Sequence, residues 1–217
     1  RVPYRETIRG MLTQHARHKK QSGGHGQFAD ITIEIRPLPR GEGFAFEDRV
    51  TGGAVPRQFI PSVGKGGREA LEEGAVGFPG GHVAVALLDG KYHDVDSSNE
   101  AFIIAGRQAI HEALPNCAPV LLEPVMAVEI AVPSAATSAV NGMVSGRRGH
   151  ILGFDAREGW PGWDVVKAQV PQAELQSLIV ELRSATQGVG GYTARFDHLA
   201  ELVGRPADAA LAHARAA

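Results

Sequence analysis

The chain has 217 residues, and its 22 Lys and Arg against 24 Asp and Glu leave a formal net charge of −2 at pH 7, which argues against a basic protein that coats nucleic acid. Hydrophobic residues make up 43% and charged residues 21%, so the chain can bury a core and is not expected to be disordered. The single cysteine, Cys117, excludes an internal disulfide and fits a reducing compartment.

The first predicted elements are two strands and a helix. Residues 28–36 alternate apolar and polar side chains, which is typical of a half-buried strand, and residues 44–46 form a shorter alternating strand. A helical pattern then runs from Pro56 to about Glu73. The glycines inside this pattern are expected to weaken the middle of the helix.

A strand, a loop and a second helix are predicted next. The apolar run at residues 83–88 is short enough for a central strand, and a polar loop follows at residues 89–96. Ser97 and Glu100 have the spacing of a capping box, in which the Ser97 hydroxyl and the Glu100 carboxylate satisfy free N–H groups at a helix start. We expect this helix to reach Pro115, with the loop displayed at one end.

After Pro119 the pattern restarts as a second domain. A strand, a helix, two strands, a helix and a strand are expected, beginning near residues 126, 133, 150, 164, 171 and 192. This order is the ferredoxin-like split βαβ pattern. We therefore place a domain boundary at about residue 121 and interpret the Ala-rich end after Pro206 as a loosely held helix or tail.

No targeting or membrane-spanning segment is predicted. The longest apolar stretches are far short of the ~20 residues that a membrane helix needs, so we expect no membrane partner. The chain starts with Arg-Val-Pro-Tyr, without an initiating Met or the apolar core of a signal peptide. We expect a cytoplasmic location and a chain cut from a longer one.

Candidate catalytic and metal sites are weak. The glycines and lysine at residues 64–67 lack the Walker spacing and the Ser or Thr after the lysine. No cysteine or second histidine pair joins the three nearby histidines at ligand spacing, and these are His15, His18 and His25. His93 and Asp94 resemble an acid/base pair, but they stand on a loop with nothing to exclude water. We predict no catalytic residue and no metal.

The densest positive run, residues 17–20, is followed directly by a Gly-rich segment at residues 21–27. One interpretation is a solvated hairpin turn beside a charged strand. The other is an RNA-binding tip, because glycines allow close backbone approach while Lys and Gln donate hydrogen bonds to phosphates, 2′-hydroxyls and base edges. Composition alone favours neither.

Two long motifs carry a resemblance to a known family. HKKQSGGHGQ at residues 18–27 and DGKYHDVDSS at residues 89–98 resemble the two tip-loop motifs in domain IV of bacterial elongation factor G. Residues 4–8, 119–124 and 182–188 are also similar to that family. The resemblance covers nearly the whole chain.

The resemblance implies an α+β fold in two domains. Residues 1–120 would form domain IV, with the fold of the second domain of ribosomal protein S5 and its left-handed βαβ crossover. Residues 121–205 would form the ferredoxin-like domain V, with its order βαββαβ, and residues 206–217 a tail. The GTP-binding domain, with its GTP and Mg²⁺, would lie upstream, so no cofactor is expected within this chain.

The resemblance also implies ribosome binding during tRNA–mRNA translocation. Domain IV would enter the decoding site of the small subunit and meet the codon–anticodon helix, while domain V would face the large subunit near the sarcin–ricin loop and the stalk base. The expected tRNA and mRNA contacts are Lys20, Gln21, Ser22, Gly23, Gly24, His93, Asp94, Val95 and Asp96. Possible ribosomal RNA contacts are Arg17, Lys19, Arg147 and Arg148.

Several residues depart from the family pattern. His25 stands where Arg is usual, residues 80–82 replace a Val-Val-Asp-like run, and residues 173–178 and Val189 also differ. These changes indicate a divergent paralogue, for which recycling, rescue or ribosome protection is an alternative function. An independent RNA-binding module is a second alternative, and a metal- or acid-dependent enzyme using His93 and Asp94 is a third.

Overall fold

A computed structural model describes residues 1–216, without the side chain of Ser22. In chain order the strands are β1 Arg5–Ile8, β2 Leu12–Ser22, β3 His25–Pro37, β4 Phe44–Asp48, β5 Val83–Lys91, β6 Pro119–Pro133, β7 His150–Ala156, β8 Trp163–Pro171 and β9 Gly191–Leu202. The α-helices are α1 Ile60–Glu73, α2 Asn99–Ala113, α3 Thr137–Ser145, α4 Gln172–Ala185 and α5 Gly204–Ala216. No helix among them is long and apolar enough to cross a membrane.

The chain divides into two compact units. The first unit contains Tyr4–Leu122 and Leu202–Ala217, and the second contains Arg1–Pro3 and Glu123–Glu201. The family-derived tail at residues 206–217 coincides with α5 up to residue 216, and Ala217 lies outside the described residues. In α5, Ala210 is buried together with Leu202 and Leu121 of the same unit.

The first unit contains a mixed sheet with the strand order β2-β3-β5-β4. β3 is antiparallel to β2 and β5, whereas β4 and β5 are parallel and are connected through α1. The alternation in β3 places Ile31, Ile33 and Ile35 in the core, where they are at most 1% exposed, and Phe102 of α2 packs in the same cluster. The predicted strands at 28–36, 44–46 and 83–88 are therefore confirmed.

The glycines that were expected to weaken α1 have a packing role. A Cβ on Gly66 would stand 1.9 Å from the Ile103 carbonyl oxygen of α2, and a Cβ on Gly106 would stand 2.4 Å from the Val63 carbonyl oxygen of α1. Only glycine permits the two helix backbones to come this close. These glycines lower the helix propensity, but they permit close contact between α1 and α2.

The predicted helix cap is wrong by one residue. Ser98, not Ser97, is the N-cap of α2, and its hydroxyl accepts a hydrogen bond from the Ala101 N–H at 3.1 Å. The Ser97 hydroxyl instead donates to the Phe28 carbonyl oxygen at 2.7 Å. Two adjacent serines look alike in sequence, and the contact of Ser97 with a distant strand helps to leave the capping role to Ser98.

A buried carboxylate organises the connection between α1 and β5. Glu6 is 4% exposed, and its side-chain oxygens accept hydrogen bonds from the backbone N–H groups of Ala75, Val76 and Phe78 at 2.6–3.0 Å. The Glu6 carbonyl oxygen accepts a further bond from Gly81 N–H. The connection between α1 and β5 includes the departure from the family pattern at residues 80–82. Its backbone N–H groups attach it to Glu6 of β1.

The second unit has the predicted order βαββαβ. β8 pairs antiparallel with both β6 and β7, and β9 also pairs with β6. Val128, Ile130 and Val132 of β6 alternate into a core that α3 and α4 cover through Val144 and Leu178. The ferredoxin-like prediction for this half of the chain is confirmed.

Candidate nucleic-acid interface

The first motif forms a long β-hairpin. β2 pairs with β3 along the whole of β2, from Leu12 opposite Ile35 to Ser22 opposite His25, and Gly23 and Gly24 make the turn with φ of 61° and 103°. A two-residue turn of this hand needs positive φ at both positions, which glycine adopts without strain. The structure therefore confirms a hairpin turn, with Gln21, Gly23, Gly24 and His25 exposed at its end. We call residues 20–25 the hairpin tip.

The second motif forms a short closed loop between β5 and α2. The His93 carbonyl oxygen accepts a bond from Ser97 N–H at 3.0 Å, and His93 N–H donates to the Ser97 hydroxyl at 2.8 Å. This turn pushes the intervening residues outward, and Val95 is 83% exposed at its apex. The His93 side chain is 60% exposed, and Asp94 is exposed beside it. We call residues 91–98 the second tip loop.

The tertiary structure brings these two segments together. Phe28 N–H donates to the Asp96 carbonyl oxygen at 2.9 Å, and the Phe28 carbonyl oxygen accepts the hydroxyl of Ser97 at 2.7 Å. The Phe28 ring also meets the His93 ring edge-on, with centroids 6.2 Å apart. β3 thus carries the second tip loop beside the hairpin, and both present polar groups at one end of the first unit.

The basic run on β2 contains two kinds of side chain. Arg17 donates from Nε to the Asp30 carboxylate at 2.9 Å, and His15 Nε2 lies 3.0 Å from the same carboxylate. Asp30 is 4% exposed, and the Arg17 guanidinium balances its charge at short range. Lys19 and Lys20 are exposed, and no carboxylate within the described range pairs with them. These lysines supply exposed positive charge near the hairpin tip.

The two arginines predicted in the second unit are engaged in ion pairs. Arg147 pairs with Glu181 and donates from Nε to the Ser177 hydroxyl at 2.9 Å. Arg148 donates to the Glu123 carboxylate at 2.5 Å, and this hydrogen bond raises the pKa of the Arg148 guanidinium. The side chain of Glu123 is only 5% exposed. Sequence reasoning missed these acidic partners because they lie 25 to 34 positions away from the arginines along the chain.

The weaker candidate sites remain separate from one another. His15 contacts Asp30, and His18 Nε2 lies 2.7 Å from the amide oxygen of Gln27. His93 Nδ1 is 3.6 Å from Asp96 Oδ2 in the exposed second tip loop. Across residues 1–216, no group of three His, Cys, Asp or Glu side chains is placed to hold a metal ion.

The departure at residues 80–82 has a structural counterpart at His82. This residue has a φ of 60°, and its Nδ1 accepts a hydrogen bond from Gly41 N–H at 2.9 Å. Burial lowers the pKa of His82, and the positive charges of Arg40 and Arg5 lower it further. A neutral imidazole therefore joins the start of β5 to the connection after β3.

The tip as a whole is suited to the recognition of RNA by shape. Lysine ammonium groups, the Gln21 amide, an imidazole and bare glycine backbone offer donors without a deep pocket for a base. An A-form duplex is read mainly through phosphates and 2′-hydroxyls across its shallow minor groove. Contacts of this type fix position and carry no sequence preference.

Comparisons with known proteins give a consistent result. Residues 1–118 match the family described as Elongation factor G, domain IV, and residues 120–210 match Elongation factor G C-terminus. A Synechocystis protein named Elongation factor G-like protein is 52% identical over 93% of this chain, and proteins of the same name from Mycobacterium tuberculosis and Thermotoga maritima are 48% and 46% identical over 90%. The chain spans 27–30% of the length of these relatives.

A solved structure is similar over the full chain. A crystal structure from Thermus thermophilus superposes with a TM-score of 0.88 and 35% sequence identity, and the match covers 100% of this chain and 32% of the Thermus chain. This similarity confirms the predicted α+β fold class.

Proposed function

Because this chain belongs to the elongation factor G family, as its domain IV and C-terminal region, we propose that it is the ribosome-binding part of a translational GTPase that promotes tRNA–mRNA translocation. The observation that carries the proposal is the joining of the hairpin tip and the second tip loop through Phe28. Two motifs far apart in sequence thereby form one exposed polar end.

In this proposal the tip holds moved tRNA and mRNA in place at the small-subunit decoding site. Lys20, Gln21, Ser22, Gly23 and Gly24 would contact the codon–anticodon helix from the hairpin tip. His93, Asp94, Val95 and Asp96 would contact it from the second tip loop. The rigid pairing of β2 with β3 suits a wedge, because little chain entropy remains to be lost on binding. We assign no bond chemistry to these residues.

GTP hydrolysis would take place in a part of the protein outside this chain. The relatives are about three times longer than this chain, and GTP with Mg²⁺ would be held by a region that the chain does not include. The second unit would face the large subunit near the sarcin–ricin loop and the stalk base, and the protein would act in the cytoplasm. Of the four candidate ribosomal RNA contacts, Lys19 has the least engaged side chain.

The decisive experiment measures translocation by the full-length protein on purified ribosomes, with GTP hydrolysis followed in parallel. His93→Ala should slow translocation by at least about tenfold while leaving GTP hydrolysis intact, because it changes a positioning contact only. His213→Ala, an exposed histidine on α5 outside both tip segments, is the matched control. Equal translocation rates for wild type and His93→Ala would refute the role of the second tip loop.

A specialised paralogue is the second candidate. The curated relatives carry the name Elongation factor G-like protein, and His25 places an imidazole at the hairpin tip where the family usually has Arg. An imidazole in place of a guanidinium removes a permanent charge and the bidentate donors that suit a phosphate. Recycling, rescue or ribosome protection would then be the main activity. Failure to complement a strain that lacks the main factor, together with retained ribosome binding, would favour this candidate.

A further inference from the structure

Both tryptophans of the chain lie at the connection between β7 and β8 in the second unit, Trp160 in the turn and Trp163 as the first residue of β8. We call residues 157–163 the tryptophan hairpin. Trp163 N–H donates to the Trp160 carbonyl oxygen at 3.1 Å, Trp160 N–H donates to the Arg157 carbonyl oxygen at 3.1 Å, and Arg157 N–H donates to the Trp163 carbonyl oxygen at 2.8 Å. The Gly162 carbonyl oxygen also accepts a hydrogen bond from Ser134 N–H at 2.8 Å. The loop is therefore ordered by its own backbone.

The side chains of this hairpin form a stack. The Arg157 guanidinium lies 4.1 Å from the centroid of the Trp160 ring and 5.3 Å from that of Trp163, and the two rings meet at 64° with centroids 5.4 Å apart. Trp160 is nevertheless 50% exposed. A large aromatic side chain held rigidly in water contributes little to a core, but it is the typical anchor of a binding surface.

We propose that the tryptophan hairpin is a docking point for an unstacked nucleotide of ribosomal RNA, an inference that rests on the proposed function. The base would stack on the exposed face of Trp160. Arg157, whose guanidinium carbon lies over both indole rings, would donate from its N–H groups to a phosphate of the same nucleotide. Aromatic stacking accepts any base, and a guanidinium on an aromatic ring keeps its donors at its edge.

The Arg157 guanidinium favours an RNA base over a protein side chain as the occupant, because it can donate to the phosphate of the same nucleotide. Gly159 and Gly162 add no side chains to the turn around Trp160, and a Cβ on either would meet nothing within 4 Å. In addition, no carboxylate in the described part of the chain forms an ion pair with Arg157, so its donors remain available for a phosphate.

The local charge predicts how this binding depends on salt. Asp155 and Glu158 are exposed on either side of Arg157, so the hairpin carries no excess of positive charge. Affinity at this point should come from stacking and hardly from counterion release. Loss of Trp160 should therefore weaken binding by the same factor at low and at high salt.

The test uses the full-length protein bound to purified ribosomes with a non-hydrolysable GTP analogue, and chemical probing of ribosomal RNA bases. Trp160→Phe should keep the wild-type protection pattern, whereas Trp160→Leu and Trp160→Ala should expose one protected base and weaken binding about tenfold, equally at about 50 mM and about 200 mM salt. The Phe and Leu variants both preserve apolar bulk, so their difference reports stacking and not folding. Val189→Ala, an exposed apolar residue of the same unit, is the control.

Three outcomes would overturn the inference. One is an unchanged protection pattern in Trp160→Leu. Another is equal behaviour of the Phe and Leu variants, and the third is loss of a crosslink to a ribosomal protein with no change at any RNA base. Absence of wild-type ribosome binding would overturn the proposed function as well. The His93→Ala translocation assay separates the two, because it reports the first unit independently of the tryptophan hairpin.

Discussion

The carboxylate of Asp96 occupies the space beside Gly26 that a side chain there would need. A Cβ on Gly26 would stand 2.7 Å from Asp96 Cγ and 2.8 Å from both carboxylate oxygens. Since Asp96 also accepts the Phe28 N–H through its carbonyl oxygen, the second tip loop is seated against the hairpin at two neighbouring positions. Gly26 is therefore a positioning residue for the second tip loop.

Gly26→Ala should displace the second tip loop without unfolding the protein. The Asp96 side chain is 30% exposed and can swing away, so we expect the free energy of unfolding to fall by less than about 1 kcal/mol. His93 would lose its neighbour Asp96, and its imidazole resonances in NMR spectra should shift. Gly191→Ala, where a Cβ meets nothing within 4 Å, is the control. Unchanged His93 resonances would contradict the positioning role.

Ser97→Ala and Ser98→Ala should have similar costs but different local effects. Ser98→Ala removes the helix cap and should cost about 1 kcal/mol of stability. Ser97→Ala removes the hydrogen bonds to Phe28 and His93 and should cost about 1 kcal/mol as well. Only Ser97→Ala should speed hydrogen exchange at the His93 amide, because only this substitution removes the hydroxyl that accepts the His93 N–H. Equal exchange in both variants would assign the two serines one role.

Glycine-to-alanine substitutions should have opposite signs in α1 and α3. Gly66→Ala places a Cβ against the Ile103 carbonyl and should destabilise the first unit by about 3 kcal/mol. Gly142 lies in α3 with nothing within 4 Å of a Cβ, so Gly142→Ala should stabilise the second unit by about 0.5–1 kcal/mol. Urea denaturation of both variants measures the difference. An unchanged free energy of unfolding in Gly66→Ala would show that α1 and α2 can move apart without cost.

Arg148→Ala and Lys19→Ala should separate a structural cation from an RNA-contacting one. Arg148→Ala leaves the buried Glu123 carboxylate without its partner and should cost about 3 kcal/mol of stability. Lys19→Ala removes an exposed side chain and should change stability by less than about 0.5 kcal/mol. Only Lys19→Ala should reduce the salt dependence of ribosome binding. Thermal unfolding and binding titrations over a range of salt concentrations test both expectations.

The stability of the first unit should fall in mild acid because of His82. Burial lowers its pKa in the folded state, whereas the unfolded chain has the ordinary value of 6.5. As the pH falls below about 6.5, the unfolded state binds a proton that the folded state excludes, so stability is lost until the folded pKa is passed. His82→Asn keeps a residue that tolerates positive φ and should flatten this loss. Denaturation at pH 7.5 and 5.5 checks it, and an unchanged slope would exclude His82 as the cause.

Much of the local structure followed from periodicity. The alternation through Ile31, Ile33 and Ile35 predicted β3 because side chains on one face of a pleated strand recur every second residue, and all three are buried. In the second half of the chain, the order of strand and helix patterns predicted the ferredoxin-like unit. The glycines at the hairpin turn were recognisable because few other residues adopt positive φ there.

Other features could not be obtained from local patterns. The Ser97 hydroxyl bonds to the Phe28 carbonyl oxygen, 69 positions away, whereas the Ser98 hydroxyl caps α2. Gly66 was predicted to weaken its helix, and only the fold shows that the Ile103 carbonyl of α2 leaves no room for a side chain there. Arg148 has no acidic partner that its sequence spacing predicts, and only the fold places Glu123 beside it. In each case the partner is distant in sequence, so no spacing rule identifies it.

By itself, the sequence determined most strands and helices from residue 28 onward, the core-facing residues of β3 and which two motifs carry the family resemblance, but it did not predict β1 and β2. Only the tertiary structure decided that those motifs share one end of the first unit, with Asp96 seated against Gly26 and Ser97 bonded to Phe28. Periodicity reports each segment's preference for water or core over a few residues. The joining of the two tips depends on hydrogen bonds and close packing between segments that become neighbours only when the whole sheet has formed.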